Sequence, residues 1–313
     1  TLAGPAGRVP NLGDDDGGRV LGLAGTASRD ARRVLALGAA LTGHEAAGRR
    51  GGQAEPEDVL WLLGSSALAA LPERDEGRAG APAHLRAGGL VVLGRGEDHV
   101  AVDVGAIGFR GRGGHGHLDA MSFEATLGGR LAVRDSGTAS YTGDPGLRNR
   151  LRDAPAHSVV LVDGRRYARI GGEEALWSVE GDAPPEGVSV EGDRESQKAT
   201  VVQRLPAAGG VALHERTIEW RPGHVRMLDR LEAPEGAAVS AFLHLPAGCE
   251  PTAAGFRGGH HDYAAHPPEG ASMTAEPHPW SEAYGTVGEG LRVTLEFRAS
   301  GEFVEWSWDV RAR

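Results

Sequence analysis

Four residues near the middle of the chain have the types and spacing to do chemistry. His115 and His117 stand two apart, flanked by Gly113, Gly114 and Gly116, so the backbone there can approach another group closely or take a positive φ. In an extended segment, residues two apart point to the same side, which lets both imidazoles converge on one small volume. Asp135 closes the strand-like run Arg130 to Arg134, and His157 opens the next, Ser158 to Val162. Two or three histidines and a carboxylate at strand ends have the ligand chemistry of a zinc site, with room for a fourth ligand such as water. The same residues also admit a structural use. Asp135 can cap a turn through Ser136 and Gly137, and His157 can hydrogen-bond a carbonyl in a core.

The charge around these residues departs from that of the chain. The net charge is -10, yet the stretch from Arg110 to Arg169 carries ten Arg, no Lys and six Asp or Glu. Arginine pairs bidentately with carboxylates and sulfates, so an arginine-only cluster beside histidines suits an acidic sugar chain. The alternative is a set of solvated surface arginines on strands and turns.

The elements that must position this stretch change character along the chain. Thr1 to Asp30 reads as loop, with Asp14, Asp15 and Asp16 in a tight turn, because EF-hand spacing is absent. Ser28 to Leu41 reads as a helix with Ser28 as N-cap and Gly43 as its end, and a second helix runs from Pro56 through Leu63. Residues 1–75 are thus expected to be a helical segment and residues 76–88 a linker. From residue 89 to 313 the hydrophobic period becomes two. Strands are expected at Leu90 to Leu93, His99 to Val104, Ser122 to Thr126, Arg130 to Arg134, Ser158 to Val162, Ala175 to Glu180, Ala199 to Leu205, Val211 to Trp220, His224 to Leu231, Val239 to Leu245, Leu291 to Phe297 and Phe303 to Val310. So many strands without intervening helices predict antiparallel sheets stacked as a sandwich.

Composition bounds the rest. The 313 residues have room for a sizeable core, and 49 Gly with 18 Pro imply many turns. One cysteine excludes an intrachain disulfide, which fits a reducing compartment and is also compatible with a bacterial periplasm. No apolar run approaches transmembrane length, so no membrane insertion is expected. The opening TLAGPAGRVPNLGDDDGGRV begins no recognisable signal peptide and reads as the middle of a longer protein. Glycine clusters such as Gly105 to Gly108 lack the strand-to-helix context of a phosphate loop, and the acidic charge argues against a nucleic-acid partner. His260, His261 and Asp262 read as an exposed loop, and Trp220, Trp306 and Trp308 as sheet-packing core.

The stretch GHGHLDAMSFEATLGGRLAVRDSGTASYTGDPGLRNRLRDAPAHSVVLVDG, Gly114 to Gly164, resembles the signature region of the heparinase II/III-like family of polysaccharide lyases. Weaker likeness runs from PNLGDDDGGR to the hairpins near the end. The resemblance implies a mainly β fold, a large antiparallel β-sandwich preceded by a short helical segment that is the tail of an α/α toroid. It implies cleavage of a uronic-acid-containing polysaccharide by β-elimination, zinc held by His117, Asp135 and His157, and His115 as the catalytic histidine. Tyr141, Arg148, Asn149, Arg152 and Arg112 become the residues lining the sugar cleft, with Asp16 and Arg19 at its rim.

The sequence departs from the family in two places. Ser158 stands where an Asn usually follows the last histidine, removing one hydrogen bond behind the metal. The tyrosine that serves as proton donor or base in these lyases belongs to the helical domain, and no tyrosine precedes Tyr141 here, so only part of an active site is expected. A polymer substrate points to the periplasm or the exterior. Two other readings remain: a non-catalytic protein for acidic-polysaccharide binding or export with the same fold, and a hydrolase in which a zinc-bound water attacks.

Overall fold

The computed structural model describes residues 2–4, 7–18, 29–52, 57–73, 81–108 and 113–313. Ser28, Pro56, Arg19 and Arg112 lie outside the described residues. Four short helices come first: α1 (Arg32–Thr42), α2 (Glu45–Gly51), α3 (Glu57–Leu63) and α4 (Ser65–Ala69). Their apolar faces meet in a small core of Ala36, Ala39, Val59 and Leu71, and Arg33 pairs with Asp58 to tie α1 to α3.

The remainder is mainly β. A five-stranded sheet has the order β1 (Ala83–Leu85), β2 (Leu90–Leu93), β3 (His99–Asp103), β4 (Phe123–Leu127), β5 (Arg130–Val133). A four-stranded sheet comprises β17 (Ser272–Trp280), β18 (Gly288–Arg298), β13 (Ala238–Pro246) and β6 (Val160–Val162). Between these strands in sequence come the short pair β7 (Arg169–Ile170) and β8 (Val179–Glu180), and the strands of the largest sheet. That sheet is ordered β14 (Glu250–Thr252), β15 (Gly255–Arg257), β16 (His261–His266), β19 (Val304–Ala312), β12 (His224–Glu232), β11 (Gly210–Arg221), β10 (Gln197–Ala207), β9 (Gly187–Gly192). The strand pairings are antiparallel.

Strict alternation makes the large sheet a layer. Along β10 the odd-numbered positions from Gln197 to Ala207 are buried, as period two demands of a sheet with one wet face. Its inner residues Val201, Ile218, Trp220, Met227 and Trp308 share one core with Val91, Val102 and Phe123 of the five-stranded sheet and Leu243 and Val293 of the four-stranded one. Trp220, Trp306 and Trp308 are all buried. The smaller sheets thus lie together against the large one, and the loops at their junction carry the chemistry-bearing residues.

Several elements differ from the sequence pattern, each for a physical reason. Strand β1 and a 3₁₀ turn at Arg86–Gly88 fall inside the expected linker. His261 starts β16 rather than sitting in a loop; it is buried and its Nε2 lies 3.2 Å from the Leu127 carbonyl. Strand β17, with Pro277 and Pro279 and an exposed pattern, is legible only once its place is known, because an edge strand tolerates proline. Residues 7–15, grouped by pattern with the helical segment, run across the sandwich loops: Arg8 pairs with Glu282, Asn11 donates to the Ser281 carbonyl at 3.1 Å, and the Asp15 N–H donates to Thr138 Oγ1 at 3.3 Å.

Candidate active site

The site is organised by a residue that the tight-turn reading set aside. Asp15 and Asp16 do make the turn, accepting from the Gly17 and Gly18 N–H groups at 2.8 Å. Asp14 faces inward with a fully buried carboxylate. Its Oδ1 lies 3.0 Å from His117 Nε2 and its Oδ2 3.3 Å from His115 Nδ1, while Arg148 Nη2 donates to Oδ2 at 2.5 Å and Thr138 Oγ1 to Oδ1 at 3.2 Å. The Asp14 N–H in turn donates to the His115 carbonyl at 3.0 Å. Burial alone would raise the Asp14 carboxyl, but hydrogen bonds and charge from His117 and Arg148 hold it well below the usual carboxylate range.

An ionised Asp14 hydrogen-bonds His117 through Nε2, which leaves Nδ1 as the other ring nitrogen of His117, whereas His115 Nδ1 only stands 3.3 Å from the second carboxylate oxygen. The two rings then diverge: the His115 side chain is 65% exposed and that of His117 1%. Beside His117 lie Asp135 and His157, and one ligand atom from each of the three residues falls within 4.8 Å of the others, all buried. Asp135 Oδ2 lies 2.7 Å from His157 Nδ1, and Oδ1 accepts from the Gly137 N–H at 3.0 Å. Burial works against charge on both groups. Their mutual attraction outweighs it, raising the pKa of His157 and lowering that of Asp135.

Whether these residues fit a metal is decided by what they leave over. Among the described residues, His117 Nδ1 and His157 Nε2 are buried without a hydrogen-bond partner, a costly state for imidazole nitrogens. Two such nitrogens beside a carboxylate are an N₂O donor set suited to zinc, and Asp14 behind His117 is the carboxylate that commonly orients a ligating imidazole. The donor set fits a zinc ion.

Residues 77–309 match the family described as Heparinase II/III-like, C-terminal. The chain belongs to this family. Among solved structures, a heparinase III with methylated lysines aligns over 100% of this chain and 44% of its own at 16% identity and a TM-score of 0.69. The heparan sulfate lyase HepC from Pedobacter heparinus aligns over 99% of this chain and 45% of its own at 14% identity and the same TM-score. The chain therefore spans less than half the length of these structures, and at such identities the likeness is one of fold. No curated protein matches the sequence.

In this heparinase II/III-like domain the arginines of the signature stretch act behind the site. Asp144 caps α5 (Pro145–Arg152), accepting from the Leu147 N–H at 2.8 Å, and the i, i+4 spacing puts Arg148 and Arg152 on its buried face. Both donate to the Leu176 carbonyl, Arg148 also to the Gly114 carbonyl at 2.9 Å and Arg152 to the Gly113 carbonyl at 2.8 Å. Gly113 has φ +62, and a Cβ there would stand 2.4 Å from Val179 Cβ, so only glycine turns the histidine loop at this point. The direct sugar contact expected of these two arginines is thus replaced by bracing of the loops that carry His115 and Trp177. The continuous basic face expected of the cluster is absent among the described residues as well. Arg134 is buried with its guanidinium over Trp280, and Arg166 and Arg169 pair with Asp153 and Glu180.

The remaining expected residues fall on the open side. Tyr141 packs 5.9 Å from His115, and burial with the charge of Asp14 pushes its phenol pKa up, so it stays protonated. Asn149 donates to the Gly171 carbonyl at 3.2 Å and lines an open cavity of about 650 Å³ with Leu118, Tyr167 and Arg166. Asp16 is exposed beside its turn. Ser158 Oγ accepts from the His244 N–H at 3.2 Å, so it ties β13 to the loop after His157. Trp177 and Tyr284 join the site without having been singled out by sequence. Trp177 sat in a segment, Ala175 to Glu180, patterned as a strand throughout; only its end is one, β8, and Trp177 lies in the turn between it and the 3₁₀ turn at Glu173–Ala175.

Proposed function

We propose that this domain supplies the histidine and metal side of a polysaccharide lyase acting on a uronic-acid-containing polymer by β-elimination. The carrying observation is the divergence at Asp14: an exposed imidazole, its Nδ1 3.3 Å from a buried carboxylate, stands directly beside a buried N₂O cluster with two orphaned nitrogens. In β-elimination a base takes the C5 proton, the C5–H electrons form the C4–C5 double bond, and the C4–O bond breaks toward a protonated leaving oxygen. The carbanion beside the carboxylate is the costly species, and a positioned imidazole lowers its cost either as base or as hydrogen-bond donor. His115 is that group. Asp14 lies 3.3 Å from its Nδ1, Arg148 and Arg152 hold its loop, and the Tyr141 phenol offers a donor to a sugar oxygen.

His117, Asp135 and His157 would hold zinc, which supplies Lewis-acid charge and a cross-link among loops poor in packing side chains. The similarity of fold to a heparan sulfate lyase supports an acidic glycan as substrate, and an extracellular or periplasmic site of action follows from a polymer of that kind. The test is an assay of the full-length protein on heparan sulfate, hyaluronan and alginate for the ultraviolet absorbance of the unsaturated sugar. The expected result is product formation on one of them that His115→Ala abolishes. Absence of product on all three, with binding retained, would replace the lyase reading by a non-catalytic one.

A further inference from the structure

Four rings form a continuous surface at the mouth of the site. His115 lies 5.2 Å from Trp177, Trp177 lies 5.0 Å from Tyr141, and Tyr141 lies 5.0 Å from Tyr284, all tilted or edge-on. Trp177 is 44% and Tyr284 40% exposed, whereas Trp220, Trp306 and Trp308 of the large sheet are buried. Exposed aromatics that touch one another mark interaction surfaces more than isolated ones do.

This surface is held in place from behind. The Leu176 carbonyl, one residue before Trp177, accepts from both Arg148 and Arg152, and the Arg148 guanidinium lies 4.4 Å from the Trp177 ring centroid. The Tyr284 hydroxyl accepts from the Tyr141 N–H at 3.1 Å, which locks these two aromatics together. Buried cations and backbone bonds thus fix apolar rings in an exposed position, where folding alone gives no reason to keep them.

We propose that Trp177 and Tyr284, with Tyr141, form a stacking subsite for a pyranose unit adjoining the sugar that meets His115. The C–H face of a pyranose is apolar and faintly positive, which complements the negative face of an aromatic ring. Continuity with His115 selects a saccharide over a peptide or lipid, because the same polymer would then span both. The subsite rests on the acidic-polysaccharide reading above and adds to it two binding residues.

The test measures KM and kcat of the full-length protein on heparan sulfate, hyaluronan and alginate, together with quenching of tryptophan fluorescence by oligosaccharides of each. Trp177→Ala is expected to raise KM about tenfold, the size of one lost aromatic contact, and Tyr284→Ala severalfold, with kcat nearly unchanged. Trp177→Phe should restore KM, and quenching should vanish in Trp177→Ala but persist in Trp61→Ala, whose ring on α3 is 74% exposed. Wild-type KM and quenching in both alanine variants would overturn the subsite while leaving the lyase reading intact. Quenching through Trp177 without any unsaturated product would uphold the subsite and remove the lyase reading. Neither binding nor cleavage of the three polymers would overturn both.

Discussion

His115 and His117 share a backbone loop and a carboxylate, yet they belong to two regions with opposite physics. The region around His117 is dry: Asp14, Asp135 and His157 are sealed, and every charge must be matched by a neighbour or a cation. The region around His115 is wet, built of ring faces and one exposed imidazole. Asp14 is the partition, giving one oxygen to each side. The difference teaches that one carboxylate can border an open and a sealed environment two residues apart in the chain, and on the function proposed above substitutions should sort cleanly between the two.

The widest separation is expected from the histidines themselves. His115→Ala should lower kcat on the cleaved polymer by about 10²–10⁴, the range of a lost general acid or base, with metal content and melting temperature unchanged. His117→Ala should abolish bound zinc, read by elemental analysis of the purified protein, and lower the melting temperature. If His115→Ala also lost the metal, the two regions would be one. Chelation of the wild type offers the same comparison without mutation: the melting temperature should fall toward that of His117→Ala.

Asp14→Asn attacks the partition. The Arg148 guanidinium would remain buried without its carboxylate, a loss of about 3–5 kcal/mol for a broken buried pair. Denaturant unfolding should show that cost, and activity should fall along with it, because His117 loses its ionised acceptor and Arg148, which braces the His115 loop, loses its carboxylate. A variant with full stability and reduced activity would place Asp14 on the wet side alone.

How much of this was legible follows the same division. The strands of the core announced themselves through period two, and β2, β12 and β13 lie where the alternation puts them. His115, His117, Asp135 and His157 were readable as a group with ligand chemistry from residue types and positions, and the family resemblance singled out His117, Asp135 and His157, the three that come together in the fold. Asp14 was not: it stands 103 residues from His117, in a run of three aspartates of which two do make the turn that composition suggests. Arg148 and Arg152 were assigned to the correct helix face, but whether a face looks to solvent or to a carbonyl depends on the loop opposite. Trp177 was hidden because the alternating stretch Ala175 to Glu180 reads as one strand, whereas only Val179 and Glu180 pair, with β7, and the turn before them carries the ring.

The smallest contrast lies just behind the dry region. Glu124 on β4 is buried, 3.3 Å from Arg29 and 3.8 Å from Arg8, and burial outweighs the charge of Arg8 and pushes its pKa from 4.5 up to about 7. The folded protein therefore keeps a proton that the unfolded chain has already released between these values. The contribution of Glu124 to stability is fully present below about 4.5 and is lost as pH rises through about 7. At roughly 1.4 kcal/mol per unit, the loss is about 3 kcal/mol at most. Glu124→Gln retains the neutral form at every pH, so its unfolding free energy should decline less than that of the wild type across this window. Parallel curves for the two proteins would mean that Arg29 and Arg8 keep Glu124 ionised, and that the charge matching of the dry region extends one strand further than the histidines.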